Sequence, residues 1–100
     1  MKRDEISEIG IDETGRLYVV PKHEKFPYIY REAMEIHWDS NADCLYAPPP
    51  PRGQLESSIW WFKRILAAAR EQACQLYINT GTRWHNVPQT LRDEISAFMG

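Results

Sequence analysis

One hundred residues, 43% hydrophobic and 26% charged, suit a single globular domain with one core and leave too little chain for a second. No apolar run nears the roughly 18 residues that cross a bilayer. The charged start Met1-Lys2-Arg3-Asp4-Glu5 leads into no apolar stretch, so no signal peptide is expected and the chain is expected in the cytoplasm. The net charge of −2 divides unevenly: residues 1–50 hold six Lys/Arg against ten Asp/Glu, and residues 51–100 hold six against four. An acidic first half argues against nucleic acid as the main ligand, which needs a concentrated basic face.

The first element in chain order is a hairpin. Ile9 and Ile11 alternate with polar neighbours, Asp12-Glu13-Thr14-Gly15 reads as a turn, and Arg16-Leu17-Tyr18-Val19-Val20 returns until Pro21 ends it. Gly15 suits a positive-φ position in that turn. Lys22 to Pro27 is polar and irregular, and Phe26 to Glu32 fits either the start of a strand or a helical turn. Met34, Ile36 and Trp38 alternate with Glu35, His37 and Asp39, the pattern of a strand with one buried face. Ser40 to Asp43 is turn-like, and Cys44-Leu45-Tyr46-Ala47 returns as a partner strand. Pro48 to Pro51 must be extended, because consecutive prolines restrict one another and cannot donate backbone hydrogen bonds.

The clearest element opens at Gly53-Gln54. Leu55, Ile59, Phe62, Leu66, Ala69, Ala73 and Leu76 recur at helical spacing, and Trp60, Trp61 and Ile65 widen the apolar arc. Leu76-Tyr77-Ile78-Asn79 reads as a strand, Thr80-Gly81-Thr82 as a loop, and Asn86-Val87-Pro88 starts a second helix with Leu91, Ile95 and Phe98 inward. The fold class is therefore α+β: a mostly antiparallel sheet of about five strands in the order β-β-β-β-α-β-α, with a long and a short helix packed on one face. The expected core is Leu17, Val19, Met34, Ile36, Trp38, Ile59, Phe62, Leu66, Leu76, Ile78, Leu91 and Ile95.

Signatures of catalysis are missing. There is no Gly-rich phosphate loop, nucleophile elbow or Cys-x-x-Cys, and His23, His37 and His85 are too scattered for a metal-binding spacing. No metal, nucleotide or other cofactor is expected. Cys44 and Cys74, isolated in apolar surroundings, read as buried thiols. Cys44 and His37 could meet across the second hairpin, with nothing adjacent to orient them.

Three clusters remain as binding candidates. Arg31, Glu35, His37 and Asp39 form a candidate polar strip on the wet face of the sheet, with Trp38 turned into the core. Arg83, Trp84 and His85 lie in the loop before the last helix. There Trp84 is either a staple on the helix's first turn or, with Arg83 and His85, a partner contact. In the Trp60-Trp61-Phe62 run adjacent side chains point about 100° apart, so all three cannot face one core. Trp60 is left to the second helix or to a partner, and a second copy of the chain is the simplest partner.

Taken together, Tyr30-Arg31-Glu32-Ala33, His37-Trp38-Asp39, Trp61-Phe62 and Trp84-His85-Asn86-Val87-Pro88 give a chain that resembles small bacterial proteins of mobile integron gene cassettes. It is also similar to the immunity proteins that accompany polymorphic toxins. The resemblance implies a compact accessory protein that works by binding, and it transfers no catalytic residue. The expected function is non-catalytic recognition of a protein partner, or self-association as a homodimer. A small-molecule pocket between helix and sheet, lined by Trp38, Trp60 and Trp61, ranks second, and an enzyme of unrecognised type third.

Overall fold

The computed structural model describes residues 1–29, 35–48 and 57–99. Its first strand, β1 (Lys2–Ile11), begins earlier than the alternation of Ile9 and Ile11 predicts. A tight turn then joins it antiparallel to β2 (Leu17–Pro21). Asp12 builds that turn: Oδ1 accepts the Thr14 and Arg16 N–H groups at 3.0 Å, and Oδ2 takes Arg16 Nε at 2.8 Å. Gly15 has φ 87°, the left-handed conformation expected of it.

The second hairpin joins β3 (His37–Asp39) to β4 (Cys44–Tyr46), and β4 extends the sheet from β2. Before it, the Ile29 N–H returns to the Phe26 carbonyl at 3.1 Å, a helical turn rather than a strand. Tyr30 to Glu32 and Met34 lie outside the described residues, as do Pro49 to Pro51, Gly53, Gln54 and Leu55.

Helix α1 (Ser57–Glu71) is followed by β5 (Cys74–Tyr77), β6 (Arg83–His85) and α2 (Gln89–Met99). The apolar repeat that runs on to Ala73 and Leu76 overshoots the helix: Ala73 turns to φ 62° and Leu76 belongs to β5. Because an alanine occupies this left-handed site instead of the usual glycine, Ala73→Gly should stabilise the domain by about 0.5–1 kcal/mol. Urea unfolding of the two proteins measures the difference, and a destabilised variant would contradict it.

The α+β class, the long and short helices and the two hairpins stand as expected, and among the described residues the sheet has six strands. Its order is β3-β4-β2-β1-β5, with β6 also on β1. The hairpin pairings are antiparallel, whereas β5 and β6 run parallel to β1, end to end along its other side. The break between them matches a β-bulge on β1 between Ile6 and Glu8. There the buried Thr82 hydroxyl donates to the Ile6 carbonyl at 2.8 Å and accepts the Asn79 N–H at 3.0 Å.

One register row makes the core side of the sheet: Trp84, Ile9, Val19, Leu45 and Trp38 are successive cross-strand partners. Helix α1 packs Phe62, Ile65 and Ala69, all fully buried, into the same core, and α2 adds Leu91 and Ile95. Of the expected core, Leu17, Val19, Ile36, Phe62, Leu66, Leu76, Leu91 and Ile95 are buried, and Trp38, Ile59 and Ile78 are half-buried against it. Phe98 departs from expectation. In the last turn of α2 its ring is 47% exposed, touching Phe62 edge-on at 6.4 Å.

Candidate functional site

Side chains alternate along a strand, so the residues flanking the core row project from the opposite face of the sheet. Across five strands they form a second row: His85 on β6, Gly10 on β1, Tyr18 on β2, Tyr46 on β4 and His37 on β3. Beside it stand Arg83 opposite Glu8, and Asp39 opposite Cys44. Two groups that look separate in sequence, His37 with Asp39 and Arg83 with His85, thus occupy the two ends of one face.

The middle of this face is made by residues that read in sequence only as strand formers. Tyr18 lies across Gly10, where a Cβ would run into the phenol. Its hydroxyl donates to Glu8 Oε2 at 2.6 Å, and Arg83 Nε reaches Glu8 Oε1 at 3.4 Å. The Arg16 guanidinium, held by Asp12, sits 4.5 Å from the Tyr46 ring centroid, and His37 stacks on the other side of the row at 5.4 Å from Tyr46. Glu8, Asp12, Arg16, Tyr18 and Tyr46, with Asp39 and Cys44, wall a cleft of about 280 Å³, and His37, Arg83 and His85 stand outside its lining.

The electrostatics of the cleft keep its protons in place. Burial first, and then the Glu8 carboxylate that accepts its hydrogen bond, push the Tyr18 phenol well above its ordinary value. Burial likewise pushes the Cys44 thiol up to about 11, with Asp39 adding to the effect. Asp12 is lowered: burial opposes ionisation, but the Thr14 hydroxyl and the Arg16 N–H and guanidinium together outweigh it. Tyr18 is therefore held as a hydrogen-bond donor to Glu8, and burial works against a Cys44 thiolate. Cys44 stands opposite Asp39, and His37 stands opposite Tyr46, so Cys44 and His37 are not cross-strand partners in this hairpin.

The remaining candidates lie elsewhere. Glu35 is in a turn instead of on the strand, and its carboxylate pairs with Arg64 of α1 at 3.2 Å, away from His37 and Asp39. A strand of only three residues is too short to carry the alternation back to Glu35. Arg31 lies outside the described residues. Arg83, Trp84 and His85 form a strand where a loop is expected, since three residues show too little alternation to be read. Trp84 turns away from Arg83 and His85, half-buried against the core with the Arg92 guanidinium 4.9 Å from its ring centroid.

Trp60 is 55% exposed on the outer flank of α1. Its ring meets the half-buried Trp61 edge-on at 4.8 Å, and Arg64 lies 5.8 Å from its centroid. Trp38, by contrast, packs edge-on against Phe26 at 6.0 Å. Trp38 thus packs on Phe26 while Trp60 and Trp61 pack on each other, and Phe62, Ile65 and Ala69 are fully buried between helix and sheet. Among the described residues no three His, Cys, Asp or Glu side chains are grouped to hold a metal ion, and no helix is long and apolar enough to cross a membrane.

A family model, that of the integron cassette protein Hfx_Cass5, matches residues 4–82. A solved structure from the mobile metagenome of the North West Arm sewage outfall, integron cassette protein Hfx_Cass5, is 42% identical over 97% of this chain and 95% of its own, with a TM-score of 0.49. Among curated proteins none matches. Matched over most of its length by that model, the chain belongs to the Hfx_Cass5 family of integron cassette proteins.

Proposed function

We propose that the chain is a non-catalytic recognition protein that acts by protein–protein contact, first with a second copy of itself. The observation that carries this reading is Trp60, an indole 55% exposed beside a second, half-buried indole. Tryptophan and arginine lead the residues that anchor interfaces, and Trp60 has Arg64 against its ring. A two-fold contact is isologous, so one such residue per chain acts twice. Burial pushes the Cys44 thiol up to about 11, and the Tyr18 hydroxyl is engaged with the Glu8 carboxylate, which supports binding over catalysis. Immunity-type neutralisation of a toxin is one form of such recognition, and a toxin reading frame beside this one would favour it.

Sedimentation over a wide concentration range tests the reading. The protein should pass from monomer to dimer as concentration rises, and Trp60→Glu should stay monomeric with an unchanged melting temperature. A sharp wild-type monomer at high micromolar concentration would end the idea.

The cleft between Tyr18 and Tyr46 favours a second reading, a small molecule bound on the open sheet face. A compound that raises the melting temperature of the wild type but not of Tyr46→Ala would support it. One that stabilises both alike binds elsewhere.

A further inference from the structure

Strand β5 ends the sheet. It pairs with β1 on one side, and among the described residues no strand pairs with its other side. An edge of this kind presents unpaired N–H and C=O groups to any extended chain that approaches it. Beside it runs a groove of about 450 Å³ between the outer stripe of α1, the end of α2 and β5. Three cations line the groove, Arg3, Lys63 and Arg70, and among the described residues no carboxylate side chain does. Elsewhere among the described residues, Lys2, Arg16, Lys22, Lys25, Arg64 and Arg83 pair with carboxylates, and Arg92 lies over the Trp84 ring instead. Among the described residues the three groove cations have no carboxylate partner.

Two of the three heads rest against aromatic rings. The Arg3 guanidinium lies 4.9 Å from the Tyr77 ring centroid, and Lys63 Nζ lies 5.1 Å from that of Phe98. Arg3 neighbours the buried Asp4 and Tyr77 the buried Leu76, so alternation puts Arg3 and Tyr77 on the open side of the sheet. Lys63, Arg70, Leu66 and the exposed Phe98 ring stand on the helix side. A strand added at β5 would send alternate side chains to these two sides, acidic ones to Arg3 on the open side, and on the helix side apolar ones to Leu66 and Phe98 or acidic ones to Lys63 and Arg70.

We infer that the β5 edge and its groove receive an extended acidic–apolar segment of a partner protein, docked as an added strand. Charge complementarity selects the acidic character, and the strand edge selects a peptide, because only a peptide backbone can continue the sheet ladder. Three cations are too few to hold a nucleic acid, whose binding rests on many phosphate contacts. The inference does not require self-association, since it uses the β5 edge and not the Trp60 indole.

The test is fluorescence anisotropy with a labelled peptide of about eight alternating Glu and Val residues. Controls are the Lys–Val counterpart and the Glu–Val peptide N-methylated at alternate amides. Saturable binding of the Glu–Val peptide is expected, about tenfold or more tighter than that of either control. Arg3→Glu combined with Arg70→Glu should weaken it by a similar factor. Both side chains are exposed, so the variant should keep the wild-type melting curve, and Arg→Gln versions serve if the reversals unfold the protein. Equal binding of the Glu–Val and Lys–Val peptides would overturn the inference. So would binding that survives N-methylation, or binding of sodium decanoate with the same arginine dependence while the peptide fails.

Discussion

Phe62→Ala should lower the unfolding free energy by about 3–5 kcal/mol. Phe62 is fully buried where α1 meets the sheet, and its removal leaves a cavity that Ile65 and Ala69, already packed on the same side, cannot fill without shifting. The partly exposed Phe98 ring, edge-on at 6.4 Å, is the neighbour freest to swing inward. Any such relaxation moves the cost toward the lower end of the range. Two residues earlier, Trp60→Ala should change stability by less than about 1 kcal/mol in the monomer, because its side chain is mostly in water already. Urea unfolding of both variants separates the two positions. A loss below about 1 kcal/mol at Phe62 would place that ring at the surface and undo the assignment of the helix face.

That contrast was legible in the sequence because a helix converts spacing into direction. Three consecutive aromatics cannot share one side, and the structure buries Phe62, half-buries Trp61 and exposes Trp60 in keeping with their place on the arc. The hairpin turn at Asp12 to Gly15 was legible for a similar reason: its chemistry is local. The start of β1 was not. Lys2-Arg3-Asp4-Glu5 carries no apolar alternation, and what holds it as a strand is parallel pairing with β5, some seventy residues away. β6 was hidden by its length. The sheet-face site was half visible, since His37, Asp39, Arg83 and His85 stand out as polar residues around tryptophans. Their common face depends on Gly10 pairing with both Tyr18 and His85, a long-range register that no local pattern encodes. Tyr18 and Tyr46 were the available signal, as the outward members of two alternating strands.

Asp4 illustrates the same limit, because a charged residue near the chain start reads as surface and the structure buries it to 4% exposure. Its Oδ2 accepts the N–H groups of His23 and Glu24, each at 2.8 Å, and Oδ1 takes the Glu5 N–H at 3.0 Å and His23 Nδ1 at 3.1 Å. One carboxylate thus ties the irregular segment after β2 back to β1. Burial alone would raise its pKa, but the Glu24 and His23 N–H groups and the His23 ring together outweigh burial, and the carboxyl is held below its ordinary value of 3.8. Asp4→Asn keeps the shape but offers a single acceptor oxygen and no charge, so at pH 7 it should cost about 1.5–3 kcal/mol. The sign of the pH dependence follows from the depressed folded-state pKa. The carboxylate's contribution is complete above the unfolded value and is lost as pH falls through the folded one. Urea unfolding at pH 7 and again near pH 2–3 should therefore show the wild type and Asp4→Asn converging in acid. Hydrogen exchange at the His23 and Glu24 amides should also be faster in the variant at neutral pH. A gap between the two proteins that stays constant across this range would mean that the Asp4 charge does not hold the segment in place.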